Sequence, residues 1–223
     1  MTGPEECWPH SPGKARRLQE ELRAQVVTVD QIGDIRRVAG ADAHYAEGNV
    51  WAAAVVMMLP DLTPVETAVS HRPLTFPYVP GLLSFREAPA ILDALNQLAV
   101  RPDLLLVDGH GLAHPRRFGL ACHVGVLADL PTIGVAKSRL IGMHDQPGVE
   151  RGAWTPLVDA GETIGAVLRT RRAVRPVYVS IGHRISLKTA IELVLRCTGR
   201  FRLPEPIRAA DRLSRRHRGS AGS

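Results

Sequence analysis

Cysteine is scarce in this chain: Cys7, Cys122 and Cys197 are the only three, an odd number at unrelated spacings. That excludes a disulfide framework and offers no ligand spacing for zinc, so a reducing compartment, the cytoplasm, is expected. Long apolar runs are missing as well. The longest, Val50 to Leu59, is too short to cross a bilayer, so no membrane partner is expected. The opening MTGPEECWPH has paired acids where a secretory signal needs apolar residues, and no signal peptide is expected. Acids thin out toward the C-terminus. Residues 161–223 hold 4 Asp+Glu against 14 Lys+Arg, a balance of +10, while residues 1–160 hold 18 against 14, a balance of −4. A basic C-terminal part beside a mildly acidic body suits a polyanion, nucleic acid above all. It suits a solvating surface with a loose tail equally well. The 223 residues, 45% hydrophobic, fit one domain with a sizeable core. Residues 14–213 are assigned to that domain, and residues 1–13 and the basic 214–223 are expected to be disordered. Nothing points to an obligate oligomer, so a monomer is expected.

Hydrophobic periodicity divides the chain into elements. ARRLQEELRAQVV spaces Leu18, Leu22 and Val26 four apart, which predicts an amphipathic helix. RVAGADAHY and NVWAAAVVMML are apolar runs separated by the turn signal AEGN and read as a hairpin, with PVETAVSHRP as a third strand after PDLTP. Ala90 to Val100 reads as a helix with Ile91, Leu92, Leu95 and Leu98 on its buried stripe. DLLLVDGHG is a short apolar strand that stops at Asp108, as a parallel strand covered on both faces would. FGLACHVGVLADL suits a helix, PTIGVAKS a buried strand, and GAVLRTRR and PVYVSIGHR later strands. Ser186 is a plausible N-cap for a helix in SLKTAIELVLRC. Three antiparallel strands followed by alternating helix and parallel strand make an α/β fold with a mixed sheet flanked by helices. In such sheets sites form beyond the carboxyl ends of parallel strands, where Asp108 and Lys137 both fall.

Three acids stand where a surface acid would not. Asp42 lies inside the first strand among small residues, Asp108 ends LLLVD, and Glu87 follows the stiff loop TFPYVPGLLSFREAP. Magnesium wants hard oxygen ligands and typically takes one or two protein carboxylates. Bound, it can generate hydroxide and steady a phosphate undergoing in-line displacement. Each acid also has a plainer reading: Asp42 on an edge strand, Asp108 capping the DGHG turn, Glu87 closing a capping box with Ser84. The last reading makes Pro89 the fifth helical residue, where its missing N–H is needed, and Ala88 before a proline resists the helical region. The helix is therefore expected to start near Pro89, with Glu87 free at its mouth.

FPYVPGLLSFRE, LLLVDGHGLAHPRRFGLACHVG and PTIGVAKS, in this order, closely resemble the motifs of endonuclease V, the repair nuclease family for deaminated bases. VAGADAHY fits that family's first strand and GHRISLKTA its late helix entrance, so the resemblance runs from about residue 15 to near Leu213. It implies a ribonuclease H-like fold and magnesium-dependent hydrolysis of a phosphodiester, with manganese as a plausible substitute. The implied substrate is DNA containing deoxyinosine, cut at the second phosphodiester 3′ to the lesion to leave 3′-hydroxyl and 5′-phosphate ends. Asp42 and Asp108 match the family's metal carboxylates, Glu87 its third acid, Lys137 its active-site lysine, and His114 lies where the family lines its site. Pro77, Tyr78, Val79 and Pro80 match its strand-separating wedge. Prolines on either side of Tyr78 leave little ring entropy to lose on insertion, and rigid wedges hold an unstacked step open. A flipped base would rest against Gly81, Leu83, Gly109 and Gly119, with Gly81 letting the backbone approach it. Arg116 and Arg117 are candidate contacts to the nucleic-acid backbone, as are His183, Arg184 and Ser186 at a helix start.

Two departures from the family are visible. Ala41 and Ala43 replace bulkier flanks of the first aspartate, and Cys122 stands where serine is common. Neither touches a catalytic position. The same chemistry directed at inosine in RNA is the close alternative, because nothing in these motifs reads a 2′-hydroxyl. A lesion-binding module without catalysis is a further one, disfavoured by the intact Asp42, Glu87, Asp108 and Lys137.

Overall fold

The computed structural model describes residues 8–216. In chain order the elements are α1 (Pro12–Arg23), β1 (Arg37–Ala46), β2 (Asn49–Met58), β3 (Thr63–Pro73), α2 (Ser84–Asn96), β4 (Leu104–Val107), α3 (Leu120–Ala128), β5 (Thr132–Ala136), β6 (Trp154–Asp159), β7 (Glu162–Leu168), β8 (Val177–His183), α4 (Leu187–Arg196) and α5 (Glu205–Arg216). The strands form one sheet in the order β3-β2-β1-β4-β5-β8-β7-β6. β1, β4 and β5 run parallel, and every other pairing is antiparallel.

The β1–β2 turn has positive φ at both Glu47 (51°) and Gly48 (73°), the conformation that matches strand twist in a tight hairpin. Strand alternation then sorts the core into two faces. Ala39, Ala41 and Ala43 point to the side where α2 brings Ala88, Ala90 and Ile91. Small residues on the sheet thus meet small residues on the helix, which accounts for the alanines flanking Asp42. On the other face Val38, Leu104 and Leu106 pack with Ile207 of α5 and Ile191 and Val194 of α4. Central β4 and β5 are buried along their whole length. Cys122 and Cys197 are buried core residues, and Cys7 lies outside the described residues.

Several boundaries differ from the sequence expectation. Trp8 packs edge-on to Phe85, 6.3 Å between ring centres, and Ser11 caps α1, so residues 8–13 belong to the fold. The expectation for residues 1–7 lies outside the described residues, as does that for 217–223. Residues 214–216 are the last turn of α5, with Ser214 buried. α1 buries Ala15 and Gln19 rather than a leucine stripe, because Gln19 has buried polar partners to satisfy. α2 starts at Ser84 and carries Pro89 inside it. Burial of Phe85 and a hydrogen bond between Ser84 Oγ and His123 Nδ1 (3.0 Å) hold the first turn despite the lost N–H. β6 and α5 are not among the expected elements: β6 is an edge strand containing Pro156, and α5 is a basic segment whose apolar face is short.

Candidate active site

Asp42 and Asp108 come together because β1 and β4 are parallel neighbours in register. Ala41 pairs with Val107, so the next residues, Asp42 in the middle of β1 and Asp108 just past the end of β4, lie side by side and on the same face by alternation. The Asp108 N–H donates to Ala41 O at 3.1 Å, closing the ladder there. Lys137 follows the last residue of β5, and its Nζ lies 2.6 Å from Asp108 Oδ2. Glu87 arrives from the opposite layer, in the first turn of α2, where its Oε1 accepts from the Tyr45 hydroxyl at 2.6 Å.

α5 supplies a fourth acid. Gly40 has no room for a side chain: a Cβ there would lie 2.0 Å from the Pro206 carbonyl carbon. That close crossing lets α5 run along β1 and bring Ser214 Oγ to 3.3 Å from Asp42 Oδ2, with Asp211 near enough to act on both Asp42 and Lys137. Asp211 was missed at the sequence level. Its only signal there is the i, i+3, i+7 spacing of Ile207, Ala210 and Ser214, which turns one side of a basic segment inward.

The electrostatics follow from this crowding. Burial pushes Asp42 up to about 8, Asp108, Asp211 and Glu87 push the same way, and Lys137 opposes them. Burial pushes Glu87 up to about 7, with the Tyr45 hydrogen bond opposing and Asp108 adding to the rise. Lys137 is raised: burial would lower it, but the hydrogen bond to Asp108 and the surrounding acids outweigh that. The cluster holds more negative charge than Lys137 can balance.

Among the described residues no group of three or more His, Cys, Asp or Glu side chains is arranged to hold a metal ion. The expected three-acid set is therefore not gathered into one ligand cage, since Glu87 is delivered from the other side of the sheet. The donor chemistry nonetheless fits magnesium: hard carboxylate oxygens, two from neighbouring parallel strands, in a cluster with surplus negative charge.

The wedge stands beside this cluster. Tyr78 is 73% exposed between Pro77 and Pro80. Behind it Tyr78, Val79, Pro80, Gly81, Leu83, Gly109 and Gly119 line one cavity of about 240 Å³, together with His110, His114, Leu120 and residues 138–140. The loop is clamped at a single atom. Gly81 O accepts from His114 Nε2 (3.0 Å), Gln19 Nε2 (3.2 Å) and Arg116 Nη2 (2.5 Å). Gln19 completes the clamp by accepting from Arg116 Nε at 2.6 Å. Gly81 has a φ of +77°, and a Cβ there would meet Arg116 Nη2 at 2.8 Å. Its lack of a side chain thus makes room for the clamp.

Several other candidates take roles that differ from expectation. His114 is buried, lowered to about 4 chiefly by burial, and is occupied by Gly81 O and the Arg116 N–H, so it anchors the loop as a neutral ring. Arg116 belongs to the same clamp. Arg117 is buried and pairs with Asp159 (2.9 Å) and Glu162 (2.8 Å), fixing the β6–β7 hairpin rather than meeting a phosphate. His183 pairs with Thr132 at the start of β5, whereas Lys137 follows its end, a separation of about 16 Å along the strand. Arg184 there pairs with Asp129 at 2.6 Å. Asp30 already accepts from the Ser186 N–H (2.6 Å) and the Thr189 hydroxyl (2.7 Å), filling the anion position at the start of α4. These three residues serve the far end of the sheet.

A model of the endonuclease V family matches residues 20–212. The chain belongs to the endonuclease V family. An endonuclease V of Roseiflexus castenholzii is 60% identical over 207 residues, 93% of each chain. The endonuclease V of Streptomyces avermitilis superposes with a TM-score of 0.90 at 45% identity, covering 95% of this chain and 94% of that one. The Ciona intestinalis endonuclease V, solved with a 24mer DNA containing an inosine followed by a ribo-adenosine, superposes with a TM-score of 0.81 at 31% identity, covering 91% and 95%. The eight-stranded mixed sheet with its five described helices is accordingly the ribonuclease H-like fold of endonuclease V, and the chain is a nuclease of that family. No described helix is long and apolar enough to cross a membrane.

Proposed function

We propose that this chain is a magnesium-dependent DNA repair endonuclease. It opens a strand at deoxyinosine and hydrolyses the second phosphodiester 3′ to the lesion, leaving 3′-hydroxyl and 5′-phosphate ends. The observation that carries the reading is the pairing of Asp42 with Asp108 on register-matched parallel strands, with Lys137 at 2.6 Å, beside a cavity walled by an exposed tyrosine. Asp42 and Asp108 would hold the metal, with Glu87 and Asp211 at its margin. Bound there, magnesium supplies Lewis-acid stabilisation of the phosphate and an acidified water.

The chain's own groups do the rest. Tyr78 enters the opened base step, and the flipped base occupies the cavity against Gly81, Leu83, Gly109 and Gly119. Deamination turns a ring nitrogen from acceptor into N–H donor and an amino group into a carbonyl. Gly81 O is fully used by the clamp, so another acceptor on the cavity wall is left to meet the new ring N–H, and a donor the new carbonyl. Lys137 neutralises Asp108 until a phosphate competes for its ammonium. Tyr45 fixes the orientation of the Glu87 carboxylate.

Inosine in RNA is the second reading, favoured by the ribo-adenosine that follows the inosine in the strand bound by the Ciona relative. One assay separates the two. Matched 5′-labelled oligonucleotides, inosine in DNA, inosine in RNA and adenine in each, are incubated with Mg²⁺ and mapped at nucleotide resolution. Cleavage of inosine DNA at the second phosphodiester, abolished by chelator, is expected. Cutting of RNA alone moves the substrate to inosine transcripts, and cutting of neither inosine strand overturns the nuclease assignment.

A further inference from the structure

Between the wedge and the acids lies Arg86, a side chain with no part in either so far. Its guanidinium carbon is 4.8 Å from the centre of the Tyr45 ring and 5.7 Å from that of Tyr78, both within cation–π range. Nη1 donates to Phe76 O at 3.2 Å, where the backbone enters the wedge. On its other side Tyr45 donates to Glu87, and Glu87 in turn senses Asp108. Contacts therefore run from the exposed tip of the wedge through Arg86 and Tyr45 to Glu87, which also feels the charge of Arg86 and, through space, that of Asp108.

Two features set this arginine apart from a stabilising one. Its Nε is buried and has no acceptor, so the guanidinium is held by two ring faces, the Phe76 carbonyl and the Tyr45 hydroxyl while one donor stays unpaired. A buried donor left unpaired is destabilising, and such groups persist where the placement itself is used. The second feature is that Tyr78 is largely exposed while its ring stands over Arg86. Any movement of that ring into a nucleic-acid strand removes one of the two ring contacts of the guanidinium, the other being the phenol that orients Glu87.

We propose that Arg86 is a positioning residue that couples wedge insertion to the catalytic acids. Tyr78 seated in an opened step sets Arg86, and Arg86 sets Tyr45 and Glu87. A strand that offers no opened step leaves Tyr78 outside and Glu87 without that support. Selectivity for a lesion is thereby expressed in the rate of cutting as well as in binding. This rests on the wedge and nuclease reading above.

The test is a double-mutant cycle between Tyr78→Ala and Arg86→Ala. Single-turnover rate constants are measured at saturating enzyme with Mg²⁺ on an inosine strand and on its adenine counterpart, with strand affinity and thermal melting measured alongside. Arg86→Ala is expected to slow cutting of the inosine strand about tenfold or more while strand affinity falls far less, and Tyr78→Ala should then cost about fivefold less than it does in the wild type. Arg86→Lys keeps the charge but not the planar face, and should not restore the rate. If Arg86→Ala proves too unstable, Tyr45→Phe removes only the hydroxyl and should show the same non-additivity with Tyr78→Ala. Additive effects, full rescue by lysine, or a rate loss that merely tracks melting would overturn the coupling while leaving the nuclease reading in place. A wild type that cuts inosine and adenine strands alike would remove both.

Discussion

Replacing Asp42 by asparagine should abolish cutting and yet make the metal-free protein more stable. Asp42 has a folded value near 8 against 3.8 for a free aspartate, raised first by burial and then by Asp108 and Asp211. A group whose folded value is raised contributes stability that is present in full below pH 3.8 and is lost as pH rises toward 8. At pH 7 about three pK units of that span have been crossed. At about 1.4 kcal/mol each, the upper bound on the loss is about 4 kcal/mol. Asparagine has no such pH-dependent term, and its amide can keep the contact with Ser214. Taking half of the bound, about 2 kcal/mol, the variant should melt about 4–8 °C above the wild type at pH 7 in chelator. The gap should shrink toward zero near pH 4 and level off above pH 8. Magnesium should narrow it from the other side by stabilising the wild type alone. Differential scanning fluorimetry from pH 4 to 9, with and without Mg²⁺, reads all of this. A variant no more stable than the wild type at pH 7, or a gap that does not change with pH, would refute the account of Asp42 as a buried carboxylate crowded by its neighbours.

Two further perturbations probe the supports of the site. Gly40→Ala places a methyl 2.0 Å from the Pro206 carbonyl carbon, so α5 must move and take Asp211 and Ser214 with it. A cost of at least about 3 kcal/mol and loss of cutting are expected, and a fully active variant with unchanged melting temperature would show that α5 is not held there. Gln19→Ala removes one donor to Gly81 O and the acceptor for Arg116 Nε, a loss of about 1–3 kcal/mol by thermal melting. It should also reduce the preference for inosine over adenine strands in the single-turnover assay, because the wedge loop loses its fixed origin, and an unchanged preference would mean that His114 and Arg116 suffice.

Much of the site is legible in the sequence because its parts end conspicuous segments. An apolar run that stops at Asp108, another followed by Lys137, and a tyrosine between prolines are each visible within a dozen residues, and their order carries the family resemblance. The β1–β2 hairpin follows from period and the AEGN turn, and the positive φ at Glu47 and Gly48 is how the structure makes that turn. Local rules failed where tertiary packing outvoted them. Pro89 argues against a helix beginning at Ser84, yet burial of Phe85 and the bond to His123 fix one there. Leucine spacing points to an apolar stripe on α1, but the face turned inward carries Gln19, whose amide donates to Gly81 O of the wedge loop and to Phe118 O.

By itself the sequence determined that Asp108 and Lys137 follow strand ends and that Asp42 lies within a strand, since hydrophobic runs and their punctuation are written locally. Tertiary structure alone decided what surrounds them. It brought Asp211 to Asp42 from a segment more than 160 residues away, turned Arg117 into a clasp on a neighbouring hairpin, and carried His183, Arg184 and Ser186 to the far end of the sheet. The physical reason is that an element's type depends on its own residues, whereas its direction, its inward face and its neighbours depend on contacts between segments remote in the chain.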